Sequence, residues 1–259
     1  MAEKTTDQDK KEGGSNPMSF WDHLEELRSR LIKTILFVIA GFCAVYAFVP
    51  GMQEFLIERF FEEEVAPLAF LAPTEGFIVR LKLGFIGGLI IASPGVFYQF
   101  WRFVAPGLYA KEKHFVIPVV ITSTVSFLVG AAFSFFVLPY ATRFFLSFAG
   151  TEIQNAWSFG SYVDFIIRIL LAFGLVFELP LVIYFLVRLG IVTPQFLRKK
   201  RRYAIIIFLV LAAVISPPDI FTMVVLAVPL TVLYELSIII ASFTHRKHHA
   251  PGDKKSASS

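Results

Sequence analysis

The candidate functional residues of this chain are acidic side chains that lie inside or beside long apolar runs. The clearest is Glu178, in the stretch LLAFGLVFELPLVIYFLV, with apolar residues on both sides and Pro180 two positions later. A carboxyl group is costly to place in such a setting, so its presence indicates a function by default. Two interpretations stay open for Glu178: a protonated carboxyl group that hydrogen-bonds a neighbouring helix, or a side chain that faces a ligand.

A second group of charges stands just before the first apolar run, in the stretch WDHLEELRSRL. Leu24, Leu27 and Leu31 recur at helical spacing and predict a narrow apolar stripe on a helix at the membrane surface. Glu26 and Arg30 lie one turn apart on such a helix and can form an ion pair. The local pattern predicts a salt-bridged interfacial helix, although a binding site would explain the same charges.

Other charges near the ends of apolar runs have simpler explanations. Asp219 follows two prolines, and acids favour helix N-termini, so helix capping and a functional role are equally open. Glu235 is expected either to extend to the membrane surface or to pair with bases of the fourth loop, and Arg80 to pair with Glu75. Arg168 is expected to extend its side chain to the outer interface.

The elements that must position these charges are apolar helices. With 56% hydrophobic and only 17% charged residues, against about 25% charged in soluble domains, the composition indicates a membrane protein. Crossing the hydrocarbon core takes about 20 residues, and the first run is too long for a signal-peptide core, so we expect a retained span. The apolar runs cover residues 31–48, 77–100, 115–138, 165–187, 203–215 and 220–243.

The charge distribution decides how these runs are arranged. The fifth run, 203–215, would reach only about 20 Å at 1.5 Å per residue, which fits a re-entrant segment or a short span. If all six runs cross, 19 of the 24 lysines and arginines fall on one side of the membrane. The positive-inside bias then predicts cytoplasmic termini and a short crossing for the fifth run.

The predicted fold is therefore an all-α membrane protein with six transmembrane helices, of which the fifth and sixth are short. Residues 1–17 are polar and are predicted to be a disordered cytoplasmic tail. Residues 18–245 are predicted to form the membrane domain. Residues 246–259 are predicted to be a basic cytoplasmic tail.

Several classes of chemistry find no support in the sequence. The single cysteine, Cys43, lies in an apolar run, so neither a disulfide nor a thiol metal site is expected. Three histidines near the C-terminus are interpreted as part of the basic tail rather than as a metal site. We see no phosphate-binding loop, no metal-ligand spacing and no nucleophile triad, and we expect no enzyme activity, no cofactor and no bound metal.

Four stretches, in order along the chain, resemble one family, the TatC proteins of the twin-arginine protein translocase. They are HLEELRSRL before the first run, IASPGVFYQFWRFVAPGLYAKEK across the second run and its loop, FGLVFELP in the fourth run, and SPPD before the sixth. The resemblance covers about residues 18–245. It implies a glove-like, concave helix bundle in the inner membrane of the cell.

The resemblance also implies a function, that of a receptor for signal peptides that carry two consecutive arginines on proteins exported already folded. The carboxylates that read the arginine pair match Glu26 and Glu112. Arg28 and Leu31 match lead-in positions of the same surface, and Phe103 matches an aromatic residue of the loop.

Two further acids and several partners follow from the resemblance. Glu178 matches a membrane-buried acid that faces the concave side, and Asp219 matches an acid at the turn before the sixth run. The family implies assembly with the single-span proteins TatA and TatB, self-association in the complex, no nucleic acid, and transport driven by the proton-motive force. The alternative from a different class is a proton-coupled secondary transporter of ions or small solutes, with Glu178 as the proton-linked carboxylate.

Overall fold

The computed structural model describes residues 20–60, 68–104, 116–147, 157–215 and 220–248. The predicted tail 1–17, and the predicted tail 246–259 beyond His248, lie outside the described residues. Within them the regular secondary structure is helical apart from one pair of two-residue parallel strands. The elements are α1 (Phe20–Tyr46), α2 (Val49–Phe60), β1 (Leu68–Ala69), α3 (Glu75–Val104), α4 (Val116–Ser147), β2 (Trp157–Ser158), α5 (Phe159–Val176), α6 (Leu179–Arg188), α7 (Pro194–Lys199), α8 (Arg201–Ile215) and α9 (Ile220–His248).

Five of the helical stretches described are long and apolar enough to cross a membrane. They are His23–Tyr46, Glu75–Val104, Val116–Phe145, Phe159–Arg188 and Met223–Phe243. They coincide with the first four predicted runs and the sixth.

The last two runs differ from each other in length. The fifth forms α8, whose 15 residues extend about 22 Å and fall short of a 30 Å hydrocarbon core. The prediction that the sixth span is short is wrong, because α9 has 29 residues and its apolar part alone has 21. The charged end of α9 continues the same helix, which the hydropathy of the run could not indicate.

Helix α1 packs antiparallel on α3 through a seam of glycines. A Cβ atom on Gly41 would lie 2.4 Å from the carbonyl oxygen of Gly88, and one on Gly88 would lie 2.4 Å from the backbone nitrogen of Phe42. Nearer the start of α1, the Phe37 ring lies over Gly95. Small residues let membrane helices approach closely, and this seam fixes the start of α1 beside the end of α3.

The later helices pack around α5 and α9. The backbone of α5 at Phe173 touches Gly130 of α4, and Phe173 is fully buried. The hydroxyl of Tyr234, on α9, donates to the carbonyl oxygen of Leu197 at 3.0 Å and ties α9 to α7. Glu235 accepts from Arg201 at 2.7 Å, which confirms its predicted pairing with the basic loop.

Glu75 organises the opposite end of the bundle from the start of α1. Its carboxylate accepts the backbone N–H of Leu71 at 2.6 Å, the Ser158 hydroxyl at 2.5 Å and the N–H of Gly160 at 2.6 Å. These bonds join the segment before α3 to the beginning of α5, where β1 and β2 pair. The predicted pairing of Glu75 with Arg80 is wrong, because the carboxylate is occupied by these donors instead.

Candidate functional site

The start of α1 and the end of α3 form one surface, which we call the lead-in site and define by His23, Glu26, Arg30, Gln99 and Phe103. The His23 and Phe103 rings stack with centroids 4.5 Å apart and planes 19° apart. The two residues are distant in sequence, and the antiparallel packing of α1 on α3 brings them together. An aromatic surface therefore closes one side of the site.

An ion pair forms the other side of the lead-in site. Arg30 Nε donates to Glu26 Oε1 at 2.9 Å, and a second nitrogen of the same guanidinium also contacts that oxygen. Arg30 Nη1 reaches Gln99 Oε1 at 3.4 Å, and Gln99 is buried within α3. The predicted pairing of Glu26 with Arg30 is confirmed, and Arg30 links that pair to α3.

The second carboxylate oxygen of Glu26 is an acceptor in the lead-in site that lacks a hydrogen-bond donor within the described part of the chain. Oε2 is buried, and none of the described residues donates a hydrogen bond to it. A buried acceptor without a donor is costly, and such groups are rare in folded proteins. Glu26 can therefore accept a further donor without giving up its bond to Arg30.

The remaining lead-in residues from the sequence lie on a different face of α1. Residues of a helix advance by about 100° each, so Arg28 and Leu31 share a face that Glu26 does not occupy. Both are exposed, and Arg28 has no ion-pair partner among the residues described. The structure thus places Glu26 and Phe103 on one surface and leaves Arg28 and Leu31 on an adjoining face of α1. Glu112 and Asp219 lie outside the described residues.

Glu178 lies where the fourth span is interrupted, between α5 and α6. Pro180 has no N–H and stands in the first turn of α6, a position that proline tolerates. The Glu178 side chain is 7% exposed, and no described residue donates to its Oε1. A buried carboxyl group with an open oxygen therefore sits inside the bundle.

Two residues that sequence reasoning missed connect Glu178 to the end of α3. The indole Nε1 of Trp101 donates to Ser123 Oγ at 2.6 Å, and both side chains are buried. The hydroxyl of Ser123, on α4, also lies near the Glu178 carboxyl group. The Trp101 ring packs 4.5 Å from that of Phe185 on α6. A buried tryptophan needs an acceptor for its N–H, which is the signal that could have drawn attention to Trp101.

A charged pair lies toward the opposite end of the bundle from the lead-in site, and it was also missed. Lys82 Nζ contacts Asp164 Oδ1 at 2.6 Å between α3 and α5, and both side chains are partly exposed. Arg168, one turn after Asp164, is exposed on the same helix. Throughout the described ranges, no three histidine, cysteine, aspartate or glutamate side chains are grouped to hold a metal ion.

Comparisons with known proteins identify the family. The family model described as "Sec-independent protein translocase protein (TatC)" matches residues 22–229. The chain belongs to the TatC family.

Individual TatC proteins are similar over most of their length. The TatC protein of Desulforapulum autotrophicum is 45% identical over 239 residues, which cover 88% of this chain and 86% of that one. The TatC protein of Aquifex aeolicus is 38% identical and covers 89% and 97%. A crystal structure described as the "Twin Arginine Translocase Receptor- TatC" superposes with a TM-score of 0.78 at 38% identity, over 86% of this chain and all of that one.

Membership in the TatC family settles the broad class of the protein. The chain is a membrane-embedded, multi-pass component of a Sec-independent protein translocase. The predictions of TatC membership, of a role in protein transport and of a non-enzymatic protein are confirmed. The alternative of a solute transporter is not favoured by any of these matches.

Proposed function

We propose that this TatC-family chain is the receptor of a twin-arginine translocase, which binds the twin-arginine signal peptides of folded proteins and nucleates the export complex. The observation that supports this most directly is the open, buried Oε2 of Glu26 beside the stacked rings of His23 and Phe103. Relatives known as translocase proteins, and a solved homologue described as a twin-arginine receptor, point to the same function.

The chemistry of the lead-in site suits a guanidinium ligand. Arginine presents planar N–H donors that bond a carboxylate in a fork, whereas a lysine ammonium is a compact point charge. Exposed ion pairs contribute only about 0–1 kcal/mol, so recognition needs partial burial. The Glu26 side chain is only 20% exposed, and the partly exposed Phe103 ring beside it can attract a cation through its face.

Glu112 supplies the second carboxylate in this proposal, since two guanidiniums need two acceptors. It follows Phe103 by nine residues in the sequence, a length of chain that is sufficient for it to reach the lead-in site. Arg28 and Leu31 contact the peptide beside the arginine pair, from the exposed face of α1 that they share. The apolar core of the peptide lies against the spans toward Glu178, and Asp219 acts at the turn before α9.

The proposed setting is the inner membrane of the cell, with six spans, cytoplasmic termini and a concave, glove-like bundle. The lead-in site then faces the cytoplasm, where precursors arrive, and α8 crosses as a short span that thins the bilayer locally. TatA, TatB and further copies of this chain complete the complex. The proton-motive force drives transport.

A peptide-binding experiment tests the proposed recognition. The full chain in lipid nanodiscs should bind a peptide with Arg-Arg, and a matched peptide with Lys-Lys should bind about tenfold more weakly or worse. Glu26→Lys should remove this preference, because burying an unpaired like charge beside the ligand is strongly unfavourable. Glu112→Lys should weaken binding of the Arg-Arg peptide in the same way.

Glu25→Lys is the matched control, because Glu25 is the exposed neighbour of Glu26 and carries the same charge. It should leave the preference unchanged. Equal binding of the two peptides to the unmodified chain, or equal losses in Glu25→Lys and Glu26→Lys, would contradict the proposal.

Cysteine labelling tests the proposed topology. In a Cys43→Ser background, a membrane-impermeant maleimide should label Gln195→Cys only from the cytoplasmic side and Thr74→Cys only from the outside. Ser216→Cys, between α8 and α9, should be labelled from the outside if α8 crosses. Labelling of Ser216→Cys from the cytoplasm would make α8 a re-entrant segment and reduce the spans to five.

A further inference from the structure

The last turn of α3 has two faces that bind different parts of the molecule. Gln99 and Phe103 are four residues apart, so they share a face, and this face meets Arg30 and His23 of α1. Trp101 stands between them, about 200° around the helix. Its side chain therefore points away from α1 and into the bundle.

The inward face carries a buried hydrogen bond whose direction is set by chemistry. An indole N–H can only donate, so Trp101 must use Ser123 Oγ as its acceptor. A hydroxyl has one proton, and while Oγ accepts from Trp101 this proton is left to donate elsewhere; the Glu178 carboxyl group lies near it. Ser123 is completely buried, so water does not compete for this bond.

The outward face depends on the ion pair that a peptide would disturb. Arg30 holds Glu26 and also reaches Gln99. A guanidinium that binds Glu26 repels Arg30, since the two cations then share one carboxylate. The contact between Arg30 and Gln99 is long, at 3.4 Å, and is the first to change.

We propose that Trp101 is a positioning residue that couples occupation of Glu26 to the orientation of Glu178. Resting on the proposed function, this assignment goes beyond it, because it names the residue that links arginine recognition to insertion of the apolar core. The last turn of α3 moves as one piece, so a shift on its α1 face changes the bond from Trp101 to Ser123. By linkage, the apolar core of a peptide then strengthens arginine recognition as much as the arginines strengthen binding of the core.

The experiment measures one ratio, the affinity for an Arg-Arg peptide divided by that for its Lys-Lys counterpart, in the full chain in nanodiscs. A short peptide that ends after the arginine pair and a long peptide that includes the apolar core are compared. In the unmodified chain, the ratio should be about fivefold larger for the long peptide than for the short one. A change in affinity of about fivefold is what the contribution of one hydrogen bond would produce. Trp101→Phe keeps a ring against Phe185 and removes the indole N–H.

In Trp101→Phe and in Ser123→Ala, the long and short peptides should give the same ratio, and the ratio for the short peptide should not change. Combining the two substitutions should add nothing, because both remove the same bond. Ser126→Ala, on the same helix one turn away, should behave as the unmodified chain. Ser123→Ala carries the test by itself if Trp101→Phe fails to fold.

The assignment would be overturned if the affinity ratio still depended on peptide length in both Trp101→Phe and Ser123→Ala. It would also be overturned if either variant lowered the ratio for the short peptide, which marks a merely structural role. Additive effects of the two substitutions would overturn it as well. A chain that does not distinguish Arg-Arg from Lys-Lys with either peptide would instead overturn the proposed function. The two failures are therefore distinguishable.

Discussion

Glu26 and Glu75 are carboxylates at opposite ends of the bundle, and their surroundings differ in one respect. Both oxygens of Glu75 accept hydrogen bonds, from backbone N–H groups and from Ser158. Glu26 uses one oxygen for Arg30, and the other has no donor among the described residues. A fully satisfied carboxylate holds the fold, whereas a half-satisfied one is available to a ligand.

Glu178 stands between these two cases. The Ser123 hydroxyl lies near it and its Oε1 has no donor among the described residues, but the group is buried in the bundle rather than placed at one end. With one oxygen left without a donor in the described part of the chain, Glu178 is more like Glu26 than like Glu75. The comparison also predicts that substitutions of Glu75 and Glu26 affect different measurements.

The largest expected effect on folding comes from Glu75→Ala. It leaves the N–H groups of Leu71 and Gly160 and the Ser158 hydroxyl without their acceptor, and it loosens the contact between the start of α3 and that of α5. The thermal unfolding midpoint in detergent should fall further than in Glu26→Ala. A smaller fall in Glu75→Ala than in Glu26→Ala would reverse the comparison.

A smaller and more selective effect is expected from Glu178→Ala. Crosslinking between the apolar core of a bound signal peptide and α5 or α6 should fall about fivefold or more, while the Arg-Arg preference of a short peptide stays within about twofold. The reason is that Glu178 lies apart from the lead-in site. Equal losses in both measurements would remove Glu178 from a separate insertion step.

The smallest effect is expected from Glu235→Gln. Glu235 pairs with Arg201 at 2.7 Å, but both side chains are more than 40% exposed. Solvent screening limits such a pair to about 0–1 kcal/mol of unfolding free energy. The free energy of unfolding measured with denaturant should therefore barely change. A decrease as large as that in Glu75→Ala would show that hydrogen bonding and burial do not explain which carboxylates stabilise this fold.

Local pattern was sufficient to predict part of the lead-in site. Glu26 and Arg30 are four residues apart, and helix geometry alone brings them within reach. Glu75 and Arg80 are five residues apart, a spacing that does not align side chains on a helix, and that prediction failed. Two of the partners of Glu75, Ser158 and Gly160, lie at the beginning of α5, more than 80 residues later, and no local pattern indicates them.

The spans were predictable because bilayer thickness fixes the length of an apolar helix. The contact of Trp101 with Ser123 was not, because it depends on how α3 rotates against α4. The stacking of His23 on Phe103 likewise depends on the glycine seam between α1 and α3. The family resemblance named both Glu26 and Phe103, but only the packing of α1 on α3 places them on one surface.

Because α1 contacts α3 closely at the glycine seam, a change at the seam moves the distant start of α1. Glu26 stands fifteen residues from Gly41, or about 22 Å along the helix axis, and α1 meets the bundle chiefly through α3. A single methyl group at Gly88 would collide with the α1 backbone and tilt the whole rod about that point. The position of the Glu26 carboxylate thus depends on the absence of a side chain at Gly88, far along the helix. A substitution at Gly88 can therefore move Glu26 without changing any residue of the lead-in site.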